Sequence, residues 1–169
     1  MFKLELLSRT HDRESFDCGV AALNSYLRQT ARQHIDRGIS RTFVLVADES
    51  AAPNPILGFF TLNLCQVKAD QLPADQARKF PREIPGIKLG RLAVSSAVQG
   101  QGLGKILLIG AMRKVLEIYY SAGGIGMFVD AKDRKAALFY ERFGFIPTPA
   151  NPLLLFLPVE TVIEVLRGR

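Results

Sequence analysis

The feature that most constrains the fold of this chain is a glycine-dense turn over residues 99–105, which reads Gln-Gly-Gln-Gly-Leu-Gly-Lys. An apolar segment ends shortly before it at Val94, and a long segment with apolar residues at helical spacing follows it. A strand, a glycine turn and a helix in this order leave backbone N–H groups free at the start of the helix, where they favour an anion such as phosphate. The turn therefore predicts an α/β arrangement with an anion site.

The composition indicates one globular domain over residues 1–169, of which 48% are apolar. No apolar run reaches the length of about 18 residues that a membrane-spanning helix needs, and Glu5 interrupts the apolar N-terminus, which predicts a strand rather than a signal peptide. Cys18 and Cys65 lie in apolar contexts, so we expect free buried thiols rather than a disulfide or a nucleophile. Cysteine and histidine are too few for a structural zinc site, and we expect no metal, no membrane contact and a cytoplasmic location.

Strands and helices alternate along the predicted chain, which favours the α/β class with a right-handed crossover through the longest helix. Ser15 or Asp17 is expected to cap the first helix, and Pro81 and Pro85 are expected to break a weak helical or loop segment over 69–80. The longest helix is predicted to bury a face made of Leu103, Ile106, Leu107, Gly110, Ala111, Val115 and Ile118. The predicted elements are strands over 2–7, 41–47, 56–67, 87–94, 126–131, 145–146 and 153–157, helices over 20–37, 102–120, 133–142 and 159–166, and a turn over 53–55.

Counting residues excludes two familiar phosphate-binding motifs from the glycine turn. A Walker A loop ending at Gly104 needs a glycine where Gln99 stands and a hydroxyl residue where Ile106 stands. A dinucleotide fingerprint needs a glycine at position 105 or 107, and these positions hold lysine and leucine. The pattern that remains is Gln-x-x-Gly-x-Gly, and a glycine turn without a ligand is the alternative to an anion site.

This remaining pattern resembles the coenzyme A pyrophosphate loop of the GCN5-related N-acetyltransferases (GNAT). The resemblance implies the GNAT fold, a mixed central sheet of about six to seven strands with a splayed parallel pair and flanking helices. It also implies acetyl-CoA as the donor, with the backbone N–H groups of residues 100–105 holding the pyrophosphate. The cofactor-binding residues that it implies are Leu92, Ala93 and Val94 on the strand, Gln99, Gly100, Gln101, Gly102, Leu103, Gly104 and Lys105 in the loop, and Asp133, Ala136 and Phe139 further along the chain.

A second motif, Phe-Tyr-x-x-x-Gly-Phe over residues 139–145, resembles another hallmark of the same family. Acyl transfer from a thioester needs a polarised carbonyl, an unprotonated amine and a proton for the leaving thiolate. By resemblance, a backbone N–H near Val94 serves the carbonyl and Tyr140 is the general acid. The alternative for Tyr140 is an aromatic residue that packs near a helix end.

No general base is evident, because the strand over 87–94 carries no carboxylate and Glu83 is the nearest one. An α-amino group loses its proton near pH ~8, whereas a lysine does so near ~10.4. The missing base therefore favours an α-amine substrate over a lysine.

The resemblance extends over nearly the whole chain to the acetyltransferase toxins of bacterial toxin–antitoxin modules. Those toxins acetylate the α-amine of aminoacyl-tRNA and block translation. The resemblance implies aminoacyl-tRNA as the substrate, a ribbon-helix-helix antitoxin, contact with operator DNA only through the antitoxin complex, and a homodimer. The segment over 81–85 and the residues before it do not match this pattern. The segments that carry the resemblance are Phe16-Asp17-Cys18-Gly19, 23–27, 41–44, 89–94, 129–132 and 155–158.

The excess of basic residues, a net charge of +6, suits a nucleic-acid substrate. Arg28 and Arg32 are four residues apart and share a helix face, and Arg91 adjoins the coenzyme strand. We expect Arg28, Arg32, Arg91, Lys88 and Lys132 to contact the tRNA, with ordinary solvated surface as the alternative for each.

Two other functions remain open at the level of the sequence. One is an N-acetyltransferase for a small amine or a protein N-terminus. The other is a coenzyme-binding regulatory subunit with little catalysis, which an intact Tyr140 disfavours.

Overall fold

A computed structural model describes residues 1–168 and has a mixed α/β fold with a seven-stranded sheet in the order β1-β3-β5-β6-β7-β9-β8. β2 and β4 form a separate two-stranded pair. The strands are β1 (Phe2–Leu6), β2 (His11–Asp12), β3 (Arg41–Ala47), β4 (Asn54–Pro55), β5 (Gly58–Lys68), β6 (Glu83–Val94), β7 (Gly126–Asp130), β8 (Ile146–Pro147) and β9 (Leu154–Pro158). The helices are α1 (Ala21–Ser25), α2 (Ala31–Asp36), α3 (Ala74–Ala77), α4 (Leu103–Ala122), α5 (Arg134–Glu141) and α6 (Val159–Arg167).

The strand pairing confirms the predicted fold class. β3 pairs antiparallel with β1 and β5, and β9 pairs antiparallel with β7 and β8. β6 and β7 form the parallel pair, with Ile87 opposite Met127 and Leu89 opposite Val129. The chain connects these two parallel strands through α4, which is the crossover that the sequence predicts.

The contacts of the chain divide it into two units, each with its own core. The first consists of Met1–Asn63 and Gly90–Ala111, and the second of Leu64–Leu89 and the chain from Met112 onwards. The core of the first unit includes Phe16, Tyr26, Leu27, Val44, Phe59 and Ala93. The core of the second unit includes Leu72, Ile84, Phe128 and Phe156, and the rings of Phe128 and Phe156 stack with centroids 4.8 Å apart.

The first helical segment departs from the single helix predicted over 20–37. A π-helical turn at Tyr26–Thr30 separates α1 from α2. Such a turn frees a backbone carbonyl from the helical ladder, and here the carbonyl of Arg28 accepts a hydrogen bond from Arg13 Nη1 at 2.9 Å. Val20, expected on the apolar face, precedes α1 and is exposed.

The cap predicted for this helix is also wrong. Val20 occupies the N-cap position of α1 without a side-chain cap, so neither Ser15 nor Asp17 caps the helix. The Asp17 carboxylate instead accepts hydrogen bonds from Gly19 N and Asn24 Nδ2, both at 2.9 Å. The hydrogen bond from the Gly19 backbone N–H lowers the pKa of the Asp17 carboxyl group, and the bond from the Asn24 side chain lowers it further. These contacts hold the loop before α1 in a fixed turn.

Three further predictions need correction. β6 begins at Glu83 and contains Pro85, because the fixed φ of proline breaks a helix but suits extended backbone. The turn predicted over 53–55 instead contains β4, which pairs with β2. Ile106, predicted on the buried face of α4, is 38% exposed, whereas Leu107, Leu108 and Met112 are fully buried.

The helices of the described chain lack the combination of length and apolar composition that a membrane crossing requires.

Gly58 tests the packing at the start of β5. A Cβ at this position would lie 2.8 Å from the carbonyl oxygen of Ala93 and 2.7 Å from Leu107 Cδ1. Because the backbone contact cannot be relieved by a rotamer change, Gly58→Ala should lower the free energy of unfolding by about 1–3 kcal/mol. Thermal unfolding measures this loss, with Gly168→Ala, where a Cβ makes only ordinary contacts, as the control. Equal stability of the two variants would contradict the described packing.

Candidate active site

The side chain of Gln99 holds the base of the glycine turn. Its Nε2 donates hydrogen bonds to the carbonyl of Val94 at 2.9 Å and to the carbonyl of Cys18 at 3.1 Å. Ser96 N donates to Asp17 O at 2.8 Å, which fastens the turn to the same loop. Because both donors of the Gln99 amide are used within the chain, this residue orients the turn, a role that the sequence motif did not indicate.

The backbone beyond Gln99 presents a row of free donors. Gly100 and Gly102 have φ of +80° and +81°, a region that favours glycine, and a Cβ at either position would meet open space. Within the described residues, the N–H groups of Gly100 to Lys105 have no intramolecular acceptor, and the Ile106 N–H is the first to bond, to Gly102 O at 3.3 Å. These donors lie at the positive end of the 20-residue helix α4, which makes the turn an anion cradle.

On the strand before the turn, a ligand could reach the backbone but not every side chain. Ala93 is buried in the core of the first unit together with Tyr26 and Phe59. Leu92 and Val94 are half-buried and lie on the opposite face of β6, because successive residues of a strand alternate. A ligand beside Ala93 can therefore meet only its main chain.

The remaining predicted cofactor residues lie at the start of α5 in the second unit. Asp133 caps this helix as predicted, because its Oδ1 accepts a hydrogen bond from Ala136 N at 2.8 Å. Asp133 is exposed, while Ala136 and Phe139 are half-buried. The cap fixes where α5 begins and thereby where Tyr140 lies.

Tyr140 is a buried phenol with ring contacts on two sides. Its ring packs edge-on against Phe139 and Phe145, with centroids 5.2 and 5.4 Å away. Burial raises the pKa of Tyr140 to about 12. Its hydroxyl forms no hydrogen bond with any residue between Met1 and Gly168. The group therefore stays protonated near neutral pH and remains available as a donor.

The predicted basic residues fall into different environments. Lys88 forms an ion pair with Asp130, and Lys132 is exposed. Arg28 and Arg32 are half-buried, and Arg32 lines a cavity of about 360 Å³. The guanidinium of Arg91 lies over the ring of Tyr26, with Cζ 3.6 Å from the ring centroid. In the part of the chain that the structure describes, no three His, Cys, Asp or Glu side chains are placed to hold a metal ion.

A parallel pair connected through a helix, an anion cradle at the start of that helix and a protonated phenol on α5 are features of an N-acetyltransferase. The family model of the acetyltransferase (GNAT) domain matches residues 39–147, more than half of the chain. The chain belongs to the GCN5-related N-acetyltransferase family.

Individual relatives resemble nearly the whole chain. The tRNA-acetylating toxin of Mycobacterium tuberculosis (strain ATCC 25618 / H37Rv) is 34% identical over 151 residues, which cover 89% of this chain and 88% of the toxin. The structure of AtaT complexed with acetyl-methionyl-tRNAfMet is 33% identical, with a TM-score of 0.89 and 99% of each chain covered. A mutant AtaT toxin bound to the C-terminus of the antitoxin AtaR and acetyl-CoA is 31% identical, with a TM-score of 0.82 and 99% of each chain covered.

The ionisation of Tyr140 can be measured directly. An ordinary phenol with a pKa near ~10 is mostly ionised at about pH 10.5, whereas Tyr140 should remain almost fully protonated there because burial disfavours the phenolate. The measurement is a ¹³Cζ NMR titration of tyrosine-labelled protein, with the resonance assigned by its absence in Tyr140→Phe. A midpoint near pH 10 would mean that the phenol is solvated.

Proposed function

We propose that this chain is an acetyl-CoA-dependent N-acetyltransferase that acetylates the α-amine of aminoacyl-tRNA and so acts as a toxin that blocks translation. The observation that carries the proposal is its similarity, along most of its length, to a tRNA-acetylating toxin and to AtaT complexed with an acetylated tRNA. The free donors of the glycine turn and the protonated phenol of Tyr140 supply groups that this chemistry needs.

The glycine turn is the proposed site for the pyrophosphate of acetyl-CoA, which supplies the acetyl group as a thioester. The N–H groups of residues 100–105 have no intramolecular acceptor, so an anion gains their hydrogen bonds without breaking any hydrogen bond within the protein. Lys105 is exposed and adds positive charge, and Gln99 keeps the turn in place. The main chain of Leu92, Ala93 and Val94 is proposed to bind the pantetheine, and Asp133, Ala136 and Phe139 to line the coenzyme.

Tyr140 is the proposed general acid. Because burial raises its pKa to about 12, the phenol carries its proton at neutral pH and can give that proton to the departing sulfur. The N–H near Val94 is proposed to stabilise the oxyanion that forms when the amine attacks the carbonyl carbon. The α-ammonium loses its proton to water before the attack, since an α-amino group titrates near pH ~8. The second proton, which the nitrogen loses when the amide forms, replaces the one that Tyr140 gives to the sulfur.

The proposed binding partners of the chain also rest on its similarity to the acetyltransferase toxins. We propose an antitoxin as partner, because the mutant AtaT toxin was solved with the C-terminus of the antitoxin AtaR. The ribbon-helix-helix type of that antitoxin is proposed from the resemblance to the acetyltransferase toxins. Operator DNA is proposed to bind only through the antitoxin complex. A homodimer, a cytoplasmic location and a single catalytic domain over residues 1–169 complete the proposal.

Acetylation of charged tRNA with radiolabelled acetyl-CoA tests the function. Wild-type protein should transfer the label to aminoacyl-tRNA and make the aminoacyl ester resistant to deacylation. Tyr140→Phe keeps the ring contacts but lacks the proton, so turnover should fall about 100-fold or more while acetyl-CoA binds with unchanged affinity.

The alkaline limb of the pH–rate profile should show no loss from Tyr140 below about pH 11, since its proton is lost only near its pKa of about 12.

Two results would contradict this assignment. Wild-type protein that acetylates a free amine or a protein N-terminus but leaves every aminoacyl-tRNA unmodified would exclude the toxin function. Wild-type turnover in Tyr140→Phe would remove this residue from the mechanism.

Gly102 tests the anion cradle. Gly102→Glu and Gly102→Gln place side chains of the same shape at a φ of +81°, so both variants carry the same backbone strain. The negative charge of Glu repels the pyrophosphate, and we expect acetyl-CoA to bind at least about tenfold more weakly to the Glu variant than to the Gln variant at low ionic strength. Isothermal titration calorimetry with acetyl-CoA provides the affinities. Equal affinities would place the pyrophosphate elsewhere.

A further inference from the structure

Arg91 is a cation without an acidic partner. Across residues 1–168 its guanidinium forms no ion pair and donates no hydrogen bond, and its contact is the ring of Tyr26, with Cζ 3.6 Å from the ring centroid. This distance is well within the range of a cation–π contact. The side chain is half-buried, so it is partly withdrawn from water while its N–H groups remain unpaired.

The surroundings of Tyr26 fix its ring beneath that guanidinium. It is 6% exposed and belongs to the core of the first unit. Its hydroxyl lies 3.3 Å from Ser40 Oγ and 3.4 Å from His34 Nδ1, and the His34 ring packs against it edge-on. Tyr26 is also the first residue of the π-helical turn. A ring fixed on several sides and covered by an arginine is a rigid support rather than a mobile surface aromatic.

The Arg91 guanidinium covers this ring, and the half-buried side chain leaves part of the group accessible to a further flat partner. RNA-binding proteins hold unpaired bases by stacking them on aromatic rings and on arginine planes, and such stacking does not require a particular base. Arg91 lies on β6 three residues before Val94, which corresponds to about 10 Å along a strand. An aminoacyl ester on a terminal nucleoside extends over a comparable length.

We propose that Tyr26 and Arg91 form a stacking platform for the 3′-terminal nucleobase of the aminoacyl-tRNA, with Arg91 in contact with the base and Tyr26 as the positioning residue behind it. The inference rests on the proposed function and adds to it a contact within the same substrate. A platform of this kind holds the end of the tRNA whichever amino acid it carries, and it acts through the shape of the guanidinium as well as its charge.

The test separates shape from charge by steady-state kinetics with aminoacyl-tRNA and acetyl-CoA. Arg91→Lys keeps the charge but lacks the plane, and we expect its KM for aminoacyl-tRNA to rise about tenfold, with its KM for acetyl-CoA unchanged. Arg37→Lys, on an exposed arginine at the end of α2, is the matched control.

Two variants of Tyr26 complete the experiment. Tyr26→Leu lacks the ring and should raise the KM for aminoacyl-tRNA to the level of Arg91→Lys, whereas Tyr26→Phe keeps the ring and should raise it less. Thermal unfolding and the KM for acetyl-CoA show whether each variant is folded. If Tyr26→Leu does not fold, Arg91→Lys alone decides the outcome.

Each result bears on the platform. A wild-type KM for aminoacyl-tRNA in Arg91→Lys means that charge alone suffices, and it overturns the platform in favour of a phosphate contact. An equal rise in both KM values marks a structural role and overturns it as well. If these variants and the wild type acetylate aminoacyl-tRNA alike, only the platform fails; if the wild type does not acetylate it at all, the proposed function fails and the platform with it.

Discussion

The N–H groups at the start of α4 are the constraint on which the candidate site depends. A helix cannot satisfy its first donors internally, and here the preceding turn leaves those of residues 100–105 unpaired instead of capping them with a side chain. The turn keeps this open form because Gln99 anchors it to Val94 and Cys18. An anion therefore meets donors that are already oriented, which reduces the entropy lost on binding.

Much of this arrangement could be predicted from the sequence because its causes are local. The strand predicted over 41–47 is observed at the same residues, since an uninterrupted apolar run with β-branched residues suits a buried strand. The capping role of Asp133 was likewise predictable, because an N-cap bonds a residue only three positions away. The glycine turn was recognisable from the spacing of its own residues.

The features that the sequence did not indicate depend on distant partners. The π-helical turn depends on Arg13, fifteen residues before the carbonyl that it satisfies. The second hydrogen bond of Gln99 reaches a carbonyl 81 residues away, and the contact between Arg91 and Tyr26 joins a strand to a helix. Periodicity contains no information on such pairs, and the exposure of Ile106 likewise depends on what surrounds α4.

The π-helical turn also determines how this part of the chain tolerates changes in length. Its hydrogen bonds span five residues instead of the four of a regular helix, so the wider turn absorbs one additional residue between α1 and α2. Removing one residue from Tyr26–Thr30 would therefore close the turn into a regular helix and leave Asn24 facing the loop that it bonds through Cys18 and Asp17. Homologues that are one residue shorter here are expected to keep that loop but to lack a free carbonyl for Arg13.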